Sequence, residues 1–400
     1  MGTTVDSTQQ SIAITGSGAV TALGLGLAPL EQALRANASG LRSCEHLAGK
    51  GYQTSVVGCV PEETLTQLHA EKPACADARA FLLANAALQQ AETGAPDLHR
   101  IPPFRRGLVL STTKADVEAL EKLVRRQPCS PAAQRHIQPA LLAADLAAAH
   151  EVTGLVQCVS SACISGLLAI QQGAVLIRRG LADSVFVVGV DLVSHFVMAG
   201  FTTLKSLDPE GCRPFDKGRI GLSLGEGAGA VVLVRRDLVS SPAALVSGWG
   251  TSNDANHLTG PSRDGSGLAL AIHRALAKAG AAPDAIDYIH AHGTGTPYND
   301  NMESLALRSV FGDRVPPFSS SKGMLGHTLG AAGILETTLC LIALRTQLLP
   351  GTPRLREPDP VAPDSMLREP RPAQRLQRIL KINCGFGGTN SAVVLEREST

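Results

Sequence analysis

Short apolar runs alternate with helix-like periodicity along most of this chain. Residues 12–15, 107–111, 155–159, 184–189, 243–246 and 288–292 are brief and carry no Asp, Glu, Lys or Arg; most are rich in Val, Ile and Leu. Each reads as a strand, and the stretches between them read as helices, so the class is α/β. The run 155–159 reads as an interior strand. Ser160 and Ser161 follow as candidate N-caps, and residues 162–170 open an apolar helix that stops at Arg178, Arg179 and Gly180. Two cations and then a glycine are a helix-ending order. Val152 to Ile177 contains no charged residue, enough on length alone to span a bilayer. Gln157, Gln171, Gln172 and three serines interrupt it, so burial between protein layers is expected instead.

The pattern repeats within the chain. Gly225-Glu226-Gly227 leads into Ala230-Val231-Val232-Leu233, and Gly385-Phe386-Gly387 leads into Ala392-Val393-Val394-Leu395. The helix starting at Cys163 has a counterpart starting near His327 and ending around Arg345. The offsets, 162 residues for the strands and 164 for the helices, agree with each other. A duplicated α/β unit is the economical reading, with halves at 1–240 and 241–400. The seven prolines from Pro350 to Pro372 predict a surface excursion. The first ten residues are polar and expected to be disordered. Gly16-Ser17-Gly18 after the first strand is a partial dinucleotide fingerprint, but Thr21 stands where its third glycine belongs.

A formal net charge of +1 argues against nucleic-acid binding and against a dedicated basic membrane surface. Nine cysteines, an odd number without a C-x-x-C pair, suggest neither a disulfide framework nor a zinc finger. A reducing cytoplasm fits, and the N-terminus shows no signal-peptide pattern.

One cysteine stands out. Cys163 lies two residues inside the start of the expected helix, directly behind a strand. A thiol there feels the positive end of the helix dipole and unpaired N–H groups, which favour thiolate and make it a candidate nucleophile. Three other segments carry candidate chemistry: 290–297 (His-Ala-His-Gly-Thr-Gly-Thr-Pro), 319–327 (Ser-Ser-Ser-Lys-Gly-Met-Leu-Gly-His) and 383–390 (Asn-Cys-Gly-Phe-Gly-Gly-Thr-Asn). His290 and His292 share one side of a strand and could ligate a metal, but no third ligand stands at suitable spacing, so no metal site is expected.

Taken together, these blocks resemble the β-ketoacyl-acyl-carrier-protein synthases, the condensing enzymes of the thiolase superfamily. The resemblance runs from Gly-x-Gly-Ala-Val-Thr-x-Leu-Gly at 16–24 to the final Gly-Phe-Gly-Gly-Thr-Asn. It includes Arg213-Pro214-Phe215-Asp216, the glycine-rich 225–229, His-Gly-Thr-Gly-Thr-Pro from His292, and Lys-Gly-Met-Leu-Gly-His from Lys322. It implies a thiolase-like duplicated αβαβα layered fold. It also implies decarboxylative condensation of an acyl group on Cys163 with malonyl-acyl-carrier protein, in fatty-acid or polyketide elongation. By the same resemblance His292 and His327 complete the catalytic set, and backbone N–H groups of Cys163 and Phe386 form an oxyanion hole. Lys322 and Glu336 join a polar network, Phe386 gates the nucleophile, and Thr294 and Thr296 bind the phosphopantetheine arm. Ser321, Asp300 and Glu303 match family positions read as scaffold. No resident cofactor is implied, because the arm arrives on its carrier. That carrier is acidic, and Arg125, Arg126 and Lys205 are candidate docking cations. The charge-free strand and helix around Cys163 are too apolar for one chain's loops to cover, so a homodimer, or a heterodimer with a related subunit, is expected through the strand near 155–160.

Some positions depart from the family. Ile164-Ser165 replaces the small residues commonest after the nucleophile, which would narrow the acyl entrance. Ser111-Thr112-Thr113-Lys114 replaces a glycine-rich loop, and Lys114 argues against an ordinary saturated acyl substrate. These features look more like synthases of aryl polyene or related specialised pathways. Two alternatives stay open: a chain-length-factor-like partner subunit, and a thiolase using acyl-CoA with Cys384 as its second cysteine.

Overall fold

The computed structural model describes residues 11–398, and the disorder expected of the first ten lies outside them. Its principal strands are β1 (Ile12–Thr21), β2 (Arg106–Ser111), β3 (Val156–Val159), β4 (Ser184–Asp191), β5 (Gly227–Arg235), β6 (Ala244–Asn253), β7 (Tyr288–His290), β8 (Phe318–Ser319), β9 (Arg378–Gly385) and β10 (Thr389–Glu396). They lie side by side as β8-β7-β9-β10-β6-β1-β5-β4-β2-β3. The first five strands and the last five therefore follow one scheme in mirror array: third, second, fourth, fifth, first. Pairing sense repeats as well. β2 runs parallel to β3 and β4, and β7 runs parallel to β8 and β9. The remaining neighbours in each set are antiparallel. A two-pair contact of β1 with β6, Ala13 opposite Leu245 and Ile14 opposite Ala244, joins the sets.

Five helices build the layers: α1 (Arg79–Thr93), α2 (Ser165–Arg178), α3 (Ser266–Ala279), α4 (Pro297–Phe311) and α5 (Ala332–Thr346). Outside one half, α1 packs on β1 and β5. Outside the other, α3 covers β6 and β10, with α4 beside it. Between them, α2 and α5 touch strands of both halves. This is the thiolase-like αβαβα arrangement. Gly16 and Gly18 sit within β1 beneath α1, where a Cβ would come 1.9 Å from the Ala91 carbonyl oxygen and 2.1 Å from that of Ala87. Those glycines let helix and strand approach closely, and no nucleotide loop is formed there.

The central helices meet through glycines at equivalent places in their first turns. A Cβ at Gly166 would stand 2.9 Å from the backbone of Gly333, and one at Gly333 would stand 2.5 Å from the Leu167 nitrogen. Nothing larger than hydrogen fits where the two N-terminal turns face each other. Those turns adjoin Cys163 and His327, so this contact sets how near the two residues lie.

Three expectations need correcting. β3 is an edge strand, not an interior one; Leu155 and Val156 are 42% and 39% exposed. The apolar run there marks a face left open by a single chain. Second, α2 begins at Ser165, so Cys163 precedes it, and neither Ser160 nor Ser161 caps it. Third, the proline-rich excursion is only partly superficial: Gly351, Thr352, Pro353 and Leu355 are buried, and the Pro353 carbonyl lies against Gly323. Val152 to Ile177 resolves into strand and helix as read. One helical stretch, Leu329–Thr346, is long and apolar enough to cross a membrane, but 89% of it is buried inside the protein.

Replacing Gly333 with Val should destabilise the fold by about 3 kcal/mol, because both neighbours are backbone and cannot yield. Denaturant unfolding checks this; an unchanged midpoint would show that the central helices slide apart at little cost.

Candidate active site

Cys163, His292 and Phe386 follow strand ends and, with His327 ahead of a helix, line one cavity. Cys163 lies on the turn from β3 to α2, where Ala162 is held at φ +45°. Ser165 closes this turn: its Oγ donates to the Ala162 carbonyl at 2.6 Å and accepts the Ser161 N–H at 2.7 Å. A non-glycine residue in the left-handed region is a strained conformation, and here it lifts the thiol out of the strand axis. His292 follows β7, His327 precedes α5, and Phe386 follows β9. One donor atom from each of Cys163, His292 and His327 lies within 4.8 Å of the others. The two rings meet edge to face, centroids 5.2 Å apart. His290 lies outside this group; its ring nitrogens have no hydrogen-bond partner among the described residues, and burial with the nearby Lys381 charge pulls its pKa down to about 3.

The hydrogen bonds assign both histidine tautomers. Asn383 Nδ2 donates to His292 Nδ1 at 2.8 Å, with Lys322 Nζ 3.3 Å from the same nitrogen. The Leu329 N–H donates to His327 Nδ1 at 3.3 Å. Burial first, and the Lys322 charge second, hold both imidazoles well below their ordinary pKa, so both are neutral. With Nδ1 accepting, each proton sits on Nε2. His327 Nε2 has no hydrogen-bond partner among the described residues.

Behind His292 lies a buried ionic cluster. Lys322 pairs with Glu336 Oε1, and its Nζ also donates to the His292 carbonyl at 2.9 Å. Lys381 Nζ lies 3.0 Å from Glu336 Oε2, which also accepts Asn383 Nδ2 at 2.9 Å. Burial pushes the Glu336 carboxyl up, but the two lysines outweigh it and hold its pKa well below the usual range. Lys322 and Glu336 thus join as the motif suggested. Lys381 and Asn383 received no role from the sequence, although a lone lysine within Ile379-Leu380-Lys381-Ile382 is a signal, since a strand buries such a charge only when it is paired.

The remaining candidates fall around the same cavity of about 480 Å³, whose lining includes Cys163, His292, His327, Thr294, Thr296 and Phe386. The two threonine hydroxyls are 2.8 Å apart. Phe386 stacks on Phe201 with centroids 6.0 Å apart. Glu303 accepts the His292 and Gly293 N–H groups at 2.7 and 2.6 Å, and Asp300 accepts those of Phe215 and Thr294 at 2.8 and 3.0 Å. Both serve as scaffold. The Gly225 N–H donates to the His327 carbonyl at 3.0 Å, so the first half's glycine-rich turn anchors the second half's histidine. Ile164 and Ser165 do not line the cavity, so the narrowed entrance does not arise from them.

The thiolate expectation is not met. Burial pushes the Cys163 thiol up to about 11, against the opposing pull of Lys322, the Phe386 N–H and Lys114. Cys163 lies ahead of the helix rather than within its first turn, and desolvation outweighs the donors around the sulfur.

A cysteine on a strained strand–helix turn, facing two neutral histidines in a thiolase-like fold, is the arrangement of a thiol acyltransferase. Residues 9–238 match the "Beta-ketoacyl synthase, N-terminal domain" and residues 243–356 the "Beta-ketoacyl synthase, C-terminal domain". The chain belongs to the beta-ketoacyl synthase family, and it is a condensing enzyme. It is 37% identical over 286 residues to a putative polyketide beta-ketoacyl synthase 1 of Streptomyces cyaneus, covering 68% of each chain. It is 29% identical to the 3-oxoacyl-[acyl-carrier-protein] synthase 2 of Coxiella burnetii, covering 97% of this chain and 99% of that one. Among solved structures, the ishigamide ketosynthase/chain length factor superposes with a TM-score of 0.89 at 30% identity, over 98% of this chain and 100% of that one.

Alkylation of Cys163 by a small neutral haloacetamide should accelerate with pH toward about 11, because reaction follows the thiolate fraction. Peptide mapping across a pH series checks this; a rate already level at neutral pH would show a resting thiolate.

Proposed function

We propose that this enzyme joins an acyl group carried on Cys163 to a malonyl unit delivered by an acyl carrier protein, releasing carbon dioxide. The observation that carries this reading is the pair of neutral histidines, each with its proton on the nitrogen remote from its hydrogen-bonded Nδ1. In the first half-reaction Cys163 attacks the incoming thioester, and its thiol proton ends on the departing phosphopantetheine sulfur. The N–H groups of Cys163 and Phe386 receive the oxyanion. In the second, the malonyl carboxylate leaves as carbon dioxide and its electron pair forms an enolate, whose oxygen accepts the two Nε2–H groups. The enolate carbon attacks the acyl carbonyl, the Cys163–acyl bond breaks, and the sulfur takes up one proton. Thr294 and Thr296 hold the arm, Phe386 gates the thiol, and Lys322 and Glu336 fix His292. No resident cofactor enters this scheme.

Two halves, 1–240 and 241–400, are our reading of the chain, supported by the repeated strand order. Exposed Arg125, Arg126 and Lys205 suit an acidic carrier, and Lys205 also lines the cavity. The open edge at β3 suits a second subunit, either another copy or a related one; the ishigamide neighbour is a ketosynthase/chain length factor. A cytoplasmic setting and a specialised polyene-type pathway remain part of the reading. Retention of Cys163, His292 and His327 favours the catalytic subunit over a chain-length-factor role. Cys384 lines the cavity, but burial holds its thiol well above the ordinary value, which disfavours the acid–base duty of a thiolase.

Alanine at His292 or His327 should slow malonyl decarboxylation by roughly a hundredfold or more, while acyl transfer to Cys163 largely survives. Separate half-reaction assays decide this, and equal loss of both steps would point to a structural role. Sedimentation should find a dimer at micromolar concentration; a stable, active monomer would refute pairing through β3.

A further inference from the structure

Beside the catalytic cavity runs a second groove of about 400 Å³, lined by Lys114 and the apolar face of the helix His195–Thr203, including Phe196, Val197, Gly200 and Phe201. Phe201 and Leu204 line both spaces, so the groove adjoins the chamber that holds Cys163. Lys114 is the only charged side chain lining the groove among the described residues. It is held in place by its own loop: Thr113 donates its N–H and hydroxyl to Asp191, at 3.1 and 2.8 Å, and Asp191 also accepts the Gly330 N–H at 2.6 Å. The Lys114 ammonium contacts Thr113 Oγ1 and forms no ion pair among the described residues. Burial dominates at both the Cys163 thiol and the His327 ring, and the Lys114 charge pulls each slightly down.

We propose that Lys114 is a specificity-determining residue, selecting acyl chains that carry an oxygen acceptor over saturated hydrocarbon chains. This rests on the condensing reading above. The occupant of the groove is the acyl group tethered to Cys163, since Phe201 is shared by both spaces. A saturated chain lying there strips water from the ammonium and returns nothing. A chain bearing a carbonyl or carboxylate oxygen replaces that water with a charge-assisted hydrogen bond.

The test loads the full-length protein with pantetheine thioesters and follows acyl-Cys163 by intact mass. The panel is acetyl as reference, octanoyl, its terminal methyl ketone analogue, and the matching ω-carboxyl chain. The oxygenated chains should load roughly ten-fold faster than octanoyl. Lys114→Met should bring that ratio near one, and Lys114→Arg should retain it. A preference for only one oxygenated chain identifies the acceptor as ketone or carboxylate. A ratio near one in the unaltered protein, or one that Lys114→Met and Lys114→Gln both leave unchanged, overturns the proposal. Loading without selectivity sinks this proposal alone; failure of every chain to load sinks the condensing reading with it.

Discussion

The catalytic geometry depends on one carboxylate shared between two buried lysines. Glu336 alone would be costly inside an apolar helix, and Lys322 and Lys381 alone would be costly inside a core. Together they leave a net positive cluster directly behind His292. That charge discourages protonation of both imidazoles, and the Asn383 amide, held by the same Glu336, fixes which nitrogen of His292 carries its proton. Removing Glu336 would leave two unpaired cations within reach of the histidine, whereas removing either lysine would cancel the cluster's net charge. The cluster therefore couples stability to chemistry: the interactions that make the burial tolerable also orient the donor.

The two halves contribute unequal parts to one site. The first supplies Cys163 on a strained turn, and the second supplies the histidines, the ionic cluster and the Phe386 loop. Cross-connections tie them together: Gly225 to the His327 carbonyl, Asp191 to Gly330, and the meeting of Gly166 with Gly333. A repeated scaffold has thus diverged at its strand ends while keeping its strand order.

Much of this was legible from residue patterns. The echo between 225–233 and 385–395 located equivalent strands, and the Lys322 and His292 motifs located the site. What escaped depended on neighbours distant in sequence. The run 155–159 is apolar enough for an interior, yet its chain position puts it at the sheet edge, and apolarity does not reveal which neighbour covers a strand. The start of α2 slipped to Ser165 because Ser165 closes the preceding turn, a local bond that competes with capping by Ser160 or Ser161. The thiol's protonation escaped for a similar reason: helix-terminus arguments see the dipole but not the desolvation imposed by the second half. Lys381 could have been singled out as a charge in an apolar strand, although its partner lies 45 residues away.

The facing glycines have a consequence for the birth of the chain. Gly166 in α2 finds its partner surface only when α5 exists, and α5 ends at Thr346. At ~5–20 residues per second of synthesis, the apolar face of α2 waits roughly ten to thirty seconds for its cover. During that interval the nascent first half presents both this face and the open edge of β3. A ribosome-bound chain of this kind is a natural client for chaperones, and it completes its core only when the last third of the sequence has emerged.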